Sequence, residues 1–234
     1  MQMLPKHILP FVILLFVTID SRSQQTDSVH ISTGVIFVSG KPFNRQIFFK
    51  SEKDLVQITK FKKWEEIKEI LVSPDEQDLL IYHKSDKELS HNLSVLNLSS
   101  FQMTKTIKPG YGGDFFWTKD RNILLKWGCG SPCQCFRLYD SNLEKLKEQC
   151  DGEYQVFLEE NVIVSLPTVY ASQGIFKVWS LKEGRLIAES SFKDKYGDYY
   201  CSETKMLKGS LLVKLVLDQK GEKIQLEYLT IDDK

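Results

Sequence analysis

The sequence predicts an all-β protein built from repeated four-stranded antiparallel units, and three observations point to this class. Four short apolar runs share one layout and begin at Leu79, Ile123, Val162 and Leu211, which are 44, 39 and 49 residues apart. A polar turn precedes each run, and a segment of alternating apolar and polar residues follows it. Such alternation is typical of strands, because successive side chains point to opposite faces of a sheet. The aromatic content of 12% also suits strand-rich structure.

Each unit is predicted to hold four strands, of which the apolar run is the second. The third strands are Leu93–Leu96, Phe136–Tyr139, Phe176–Trp179 and Ile224–Glu227. Weaker fourth strands are predicted at Met103–Ile107, Leu143–Glu148 and Arg185–Glu189. First strands are predicted at Glu69–Val72, Asp114–Trp117, Tyr154–Leu158 and Tyr199–Ser202. The repeat length is close to the roughly 40–45 residues of a propeller blade.

Short motifs in these units resemble those of β-propeller families. The turn Ser73-Pro74-Asp75 before an apolar strand resembles TolB-type repeats. Val178-Trp179-Ser180-Leu181, followed by Gly184, resembles the end of a WD-repeat blade with Ser180 where that family prefers Asp, and Arg137-Leu138-Tyr139-Asp140 is similar with Tyr139 for Trp. The resemblance covers roughly Glu66 to Asp232 and implies a β-propeller-like architecture, but a shared fold does not define a function.

The segment Val29–Lys63 is less regular and is predicted to be a fifth, degenerate blade. Four clear blades and one degenerate blade would form a small or incomplete ring, and an open stack of sheets or a β-sandwich is the alternative. Trp64, Ile67 and Ile70 have helical spacing, which predicts a turn or two of helix.

The N-terminus has the features of a cleavable signal peptide over residues 1–23. Lys6 precedes an almost wholly apolar run from Ile8 to Ile19, and Ser21 and Ser23 suit signal peptidase. The apolar run has about a dozen residues, against the roughly 20 needed to cross a bilayer, although an uncleaved anchor is the alternative. The sequence therefore predicts a single β-repeat domain over residues 24–234, secreted or periplasmic, with no membrane span after cleavage.

Charge and composition exclude some classes of partner. The chain has 31 Lys and Arg residues and 31 Asp and Glu residues. No basic excess favours nucleic acid, so no nucleic-acid partner is predicted.

The five cysteines all follow the predicted cleavage point. In an oxidising compartment they predict two disulfides and one remaining thiol. Cys129 and Cys133 are expected to close the loop between the second and third strands of their unit, and Cys150 and Cys201 are candidates for the second disulfide. Two alternatives are a soft-metal site of Cys129, Cys133 and Cys135 that lacks a nearby fourth ligand, and a redox-active pair. The stretch Trp127–Gln134 also resembles a motif of small exported bacterial proteins with little assigned activity.

A binding rim is predicted where loops meet at one end of the sheets. In a propeller, the connections between blades and the loops between second and third strands emerge on the same face. The predicted rim residues are Tyr111, Gly112, Asp114, Tyr170 and Tyr196. Tyrosine-bearing loops on a rigid scaffold are typical of binding surfaces. The glycine-rich segment 108–114 lacks the Gly-Lys-Ser/Thr ending of a phosphate loop.

No catalytic motif is recognisable, and no metal or cofactor is expected. The chain contains neither Gly-x-Ser-x-Gly nor His-Glu-x-x-His. The sequence therefore favours a non-enzymatic module that binds a protein, peptide or glycan through loops on one face. The alternatives are an extracytoplasmic hydrolase with carboxylates from different blades, and a metal-handling or redox protein centred on the cysteines.

Overall fold

The protein consists of antiparallel sheets that follow one another along the chain. The computed structural model describes residues 27–85, 90–110, 112–130, 133–167, 174–217, 220 and 222–231. The predicted signal peptide lies outside the described residues.

The strands form five consecutive units, which we number as the first to the fifth sheet. The first sheet contains β1 (Ser28–Ile31), β2 (Gly34–Lys41), β3 (Asn44–Lys50) and β4 (Leu55–Gln57). The second contains β5 (Glu65–Val72), β6 (Asp78–Ser85), β7 (Ser90–Asn97) and β8 (Gln102–Ile107). The third contains β9 (Asp114–Trp117), β10 (Ile123–Gly130), β11 (Cys133–Tyr139) and the first half of β12 (Lys145–Phe157).

The second half of β12 opens the fourth sheet, so that one long strand joins two units. This sheet continues with β13 (Val162–Leu166), β14 (Ile175–Ser180) and β15 (Leu186–Ser191). After the short helix α1 (Lys193–Tyr196), the fifth sheet contains β16 (Tyr200–Leu207), β17 (Ser210–Val216) and β18 (Ile224–Thr230). Every strand pair is antiparallel and joins neighbours in sequence, which confirms the all-β class and the four-stranded antiparallel units.

The turn between the first and second strands recurs from the second sheet to the fifth. It places a residue other than glycine in the left-handed region each time: Glu76, Arg121, Asn161 and Lys208. In the second and third sheets a hydroxyl side chain supports this turn. Ser73 Oγ accepts a hydrogen bond from the Asp78 amide, and Thr118 Oγ1 accepts one from the Asn122 amide. The polar turns that precede the apolar runs in the sequence therefore share one backbone conformation, with a residue in the left-handed region.

Apolar side chains pack between consecutive sheets in four clusters. Ile36 and Ile81 belong to the cluster between the first and second sheets, and Leu80 and Leu125 to that between the second and third. Leu124 and Ile163 join the third sheet to the fourth, while Val164 and Val213 join the fourth to the fifth. None of these clusters, within the described part of the chain, contains residues of both the first and the fifth sheet.

Two expectations about local structure are corrected. The helical turn predicted around Trp64–Ile70 is wrong, because Glu65–Val72 is a strand with a register shift between Ile67 and Glu69. The shift adds one residue, so Ile67 and Ile70 are both buried on one face at a spacing of three. The segment expected to be degenerate forms a four-stranded sheet, whereas the fifth sheet has three strands among the described residues.

The only described helix is α1, which has four residues. No helix within the described ranges is long and apolar enough to span a membrane.

Candidate functional site

In the second to fifth sheets the first strand has a carboxylate at an equivalent register position, and in the first sheet Asp27 occupies that position directly before β1. Each carboxylate residue stands opposite a residue near the middle or end of the second strand. The pairs are Asp27 with Val38, Glu69 with Tyr82, Asp114 with Lys126, Glu153 with Leu166, and Glu203 with Lys214. We call Asp27, Glu69, Asp114, Glu153 and Glu203 the carboxylate row.

Packing shows that the members of this row occupy equivalent faces. Val29, Leu71 and Phe116, two residues after the first three carboxylates, pack toward the following sheet. Phe157, four residues after Glu153, also packs toward the following sheet. Because side chains alternate along a strand, Asp27, Glu69, Asp114 and Glu153 point to that same face. The backbone of β5 approaches both β1 and β9, so the first strands of the first three sheets converge and bring Asp27, Glu69 and Asp114 along one edge, which we call the inner edge.

Neighbouring carboxylates of the row influence each other across sheets. Glu69 is half-buried, and burial raises its pKa, with a further contribution from the negative charge of Asp114. Burial raises the pKa of the Cys201 thiol to about 11, and the charges of Glu153 and Glu203 add to this effect. The row is therefore a region of concentrated negative charge.

Among the described residues, ion pairs involve the two ends of the row but not its middle. Arg45 Nη2 lies 2.6 Å from Asp27 Oδ1, and Lys214 Nζ lies 3.7 Å from Glu203 Oε2. Glu69, Asp114 and Glu153 form no ion pair with any Lys or Arg among the described residues.

The connection between the second and third sheets approaches this inner edge closely. A Cβ atom at Gly112 would lie 2.6 Å from the Tyr82 hydroxyl and 3.0 Å from the His91 ring, and one at Gly113 would lie 2.1 Å from the Lys126 carbonyl oxygen. The Tyr82 hydroxyl and His91 Nδ1 are joined by a short hydrogen bond. At Gly113, where the close atom is backbone, glycine is therefore required for this connection to pass beside β10, the strand that pairs with Asp114.

Contacts in two places bring connections between sheets together with loops between second and third strands, as the rim prediction assumed. Gly112 lies against His91 at the β6–β7 hairpin. In the fourth sheet the Tyr199 hydroxyl accepts a hydrogen bond from the Phe192 amide and donates one to the Gly174 carbonyl.

The predicted rim residues do not all lie on one surface of the described structure. Tyr111 and Tyr170 lie outside the described residues. Tyr196 is half-buried, and its hydroxyl donates to Glu227 on β18, so its polar end is engaged with the fifth sheet rather than free. Gly112 and Asp114 lie at the inner edge described above. Sequence reasoning missed Glu69, Glu153 and Glu203, because their equivalence depends on strand register.

The cysteines form two disulfides in the third sheet. Cys129 and Cys133 are bonded with a Cα–Cα distance of 5.2 Å, and Cys135 is bonded to Cys150 with a distance of 4.1 Å. The expected pairing of Cys150 with Cys201 is wrong. Cys150 lies on β12 directly beside β11, whereas Cys201 is a free thiol on β16 in the fifth sheet.

The sequence matches no protein-family model and no curated protein. Among solved structures, it is similar to an uncharacterized protein from Listeria monocytogenes EGD-e, with 15% identity, a TM-score of 0.49 and coverage of 88% of this chain and 62% of that one. It is similar to the β-propeller domain of the Trilobed protease from Pyrococcus furiosus, with 11% identity, a TM-score of 0.47 and coverage of 89% and 84%. For TolB from Acinetobacter baumannii the identity is 14%, the TM-score 0.41 and the coverage 86% and 53%. The chain thus spans less than two thirds of the Listeria protein and of TolB.

Proposed function

We propose that this chain is an exported, non-enzymatic binding module whose carboxylate row receives the basic side chains of a protein or peptide partner. The observation that carries the proposal is the presence of a carboxylate at one register position in all five sheets. The proposal keeps the rim residues Gly112 and Asp114 in the binding surface and adds Glu69 and Glu153.

This arrangement of carboxylates is unfavourable for the stability of the fold, which supports a role in binding. Burial raises the pKa of Glu69, and the like charge of Asp114 in the next sheet raises it further, so both effects oppose ionisation of this carboxylate. A neutral side chain at these positions would avoid the repulsion. Positions that depart from local stability rules in this way are expected at functional sites.

The charge of the row selects the chemistry of the partner. Lys and Arg side chains complement carboxylates and gain both attraction and specificity from them. The phosphates of nucleic acid would be repelled, and an uncharged glycan would leave the charges of Glu69, Asp114 and Glu153 without partners. The signal-like N-terminus supports an extracytoplasmic site of action.

A charge-neutralising variant tests the proposal. Glu69→Gln, Asp114→Asn and Glu153→Gln are combined in one variant, and Glu52→Gln, Asp54→Asn and Glu160→Gln are combined in a matched control. The control removes the same number of charges from exposed turns at the other end of the sheets. Binding is measured by surface plasmon resonance against an array of peptides of equal length that carry Lys, Arg or only neutral side chains.

We expect the wild type and the control to bind basic peptides with an affinity that falls as salt rises. The triple variant should bind about 10- to 100-fold more weakly, since each lost pair contributes up to about 1 kcal/mol. Equal binding by the triple variant, or no preference of the wild type for basic peptides, would contradict the proposal.

A hydrolase is the second candidate function, and one observation favours it. Glu69 and Asp114 come from different sheets, and burial together with the charge of Asp114 raises the pKa of Glu69, the direction expected of a carboxyl group that acts as a proton donor. Hydrolysis of aryl glycosides by the wild type that Glu69→Gln abolishes would favour this candidate over binding alone.

A further inference from the structure

The four disulfide-bonded cysteines occupy one small region around β11. Cys133 and Cys135 are two residues apart on that strand and point to the same face. Cys129 lies at a register shift on β10, where the pairing passes from Gly128–Gln134 to Gly130–Cys133. Cys150 lies at a register shift on β12, between the residues that pair with Phe136 and Gln134. The strands on both sides of β11 thus have an irregularity at the same level.

Three of the four sulfur atoms form one cluster, and the fourth is bonded to a member of it. The Sγ atoms of Cys129, Cys133 and Cys135 all lie within 4.8 Å of one another. The Cys150 sulfur is bonded to that of Cys135 and therefore joins them. The two disulfides are neighbours in space, and the fourth ligand that the sequence did not provide for a soft-metal site is Cys150.

We propose that reduction of both disulfides converts this cluster into a tetrathiolate site for Zn²⁺ or a similar soft divalent ion. Four thiolates bound tetrahedrally at about 2.3 Å from zinc stand about 3.8 Å from one another. The Sγ atoms of Cys129 and Cys133 already lie within 4.8 Å of that of Cys135, so on reduction the two bonded pairs need to move apart and the Cys150 sulfur needs to turn toward the other three.

The backbone around the cluster suits such a change. Cys135 is buried in the core between the second and third sheets, where it stands opposite Trp127, so one ligand is held by regular structure. Cys129 lies between Gly128 and Gly130, and a Cβ at either glycine would meet no atom within 4 Å. The hairpin end that bears Cys129 therefore has room to adjust around an ion.

Reduction and metal binding are two separate steps, the first transferring electrons and protons and the second releasing protons. A dithiol reductant gives two electrons and two protons to each protein disulfide and leaves as its own cyclic disulfide. The four protein thiols then bind Zn²⁺ as thiolates and release four protons to solvent. Because of this proton release, binding should strengthen as pH rises.

Cobalt binding to the reduced protein tests the proposal. The mature chain with Cys201→Ser, which removes the one cysteine outside the cluster, is reduced with dithiothreitol and desalted under nitrogen. Co²⁺ is then titrated while the visible absorption of tetrahedral cobalt thiolate is recorded. We expect one Co²⁺ per chain, displacement by Zn²⁺, and protection of all four thiols from a thiol reagent when Zn²⁺ is bound.

Further variants separate the four-ligand site from other outcomes. Cys150→Ser and Cys129→Ser should each bind the ion at least about 10-fold more weakly, since changes outside the ligand shell alone cost about 10–100-fold. Circular dichroism checks that each reduced protein is folded with and without Zn²⁺, and recovery of strand signal on adding Zn²⁺ would support the site. Absence of the cobalt absorption, undiminished binding by Cys150→Ser, or equal binding by the oxidised protein would overturn the proposal.

Discussion

Acidification should destabilise this protein through His83, a buried histidine between the first and second sheets. The side chain of His83 is 3% exposed and packs against the Phe61 ring, with a centroid distance of 4.6 Å. Its Nε2 atom lies 2.9 Å from Ser94 Oγ, while Nδ1 has no hydrogen-bond partner. Burial lowers the pKa of His83 from 6.5 to about 4, so the folded protein holds it neutral at pH 7.

The size of the effect follows from proton linkage. Unfolding exposes His83 and restores a pKa near 6.5, so below that pH the unfolded state binds a proton that the folded state rejects. The contribution of neutral His83 to the free energy of unfolding is therefore fully present above pH 6.5 and is lost as the pH falls toward 4. Each pKa unit corresponds to about 1.36 kcal/mol, which gives a loss of about 3 kcal/mol at the full shift and about 2 kcal/mol between pH 7 and pH 4.5.

Urea denaturation at a series of pH values measures this contribution of His83 to the free energy of unfolding. The free energy of unfolding is determined at pH 7 and pH 4.5 for the wild type, for His83→Gln and for the exposed-histidine control His30→Gln. The change in the free energy of unfolding between the two pH values is then compared between each variant and the wild type. The carboxylates contribute equally to both proteins, so their contribution cancels in the difference. We expect His83→Gln to lose about 2 kcal/mol less than the wild type on acidification, and His30→Gln to follow the wild type. The same pH dependence in His83→Gln and the wild type would refute the assignment.

Two further predictions concern what holds the third sheet together. Replacing both cysteines of Cys135–Cys150 by Ala should cost about 3 kcal/mol in urea denaturation, against about 2 kcal/mol for Cys129–Cys133, because the longer loop loses more chain entropy when closed; the reverse order would contradict the loop-length argument. Arg137→Met removes two bonds to the Glu148 carboxylate and one to a backbone carbonyl, and should cost about 1.5–3 kcal/mol in the same measurement. The control Lys105→Met, which breaks an exposed ion pair, should cost less than about 1 kcal/mol, and equal losses in the two variants would show that the Arg137 pair is no stronger than a surface pair.

The strands could be predicted from the sequence because their signals are local. Apolar runs such as Leu79–Ile81 and the polar turns before them lie within a few residues of each other, and the structure has strands in these places. The predicted helical turn failed at Ile67 and Ile70 because a register shift gives a strand the spacing of a helix. Residue spacing alone does not reveal such a shift.

Register also explains why the carboxylate row was missed. The sequence aligns Val162 with Ile123 and Leu211, since all three begin an apolar run. Packing shows instead that Ile163, which faces the preceding sheet, is the equivalent of Ile123. With the alignment shifted by one residue, the fourth sheet contributes Glu153 to the row rather than its buried neighbour Tyr154.

Four of the seven register shifts between the described strands lie beside groups that carry the proposed chemistry, whereas the other three, at Val95/Leu96, Leu138/Tyr139 and Val178/Trp179, do not. Glu69 and Glu203 each follow directly after a register shift in the first strand of their sheet. Ile67 faces the preceding sheet, so regular alternation would turn Glu69 into the core between the first and second sheets, where an unpaired carboxylate is costly. The shift directs it to the opposite face, toward Asp114, just as the shifts at Cys129 and Cys150 gather four sulfurs around β11. Because a bulge re-aims a side chain, these four shifts decide where the carboxylates of Glu69 and Glu203 and the cysteine sulfurs point, and hence whether either proposed site can form.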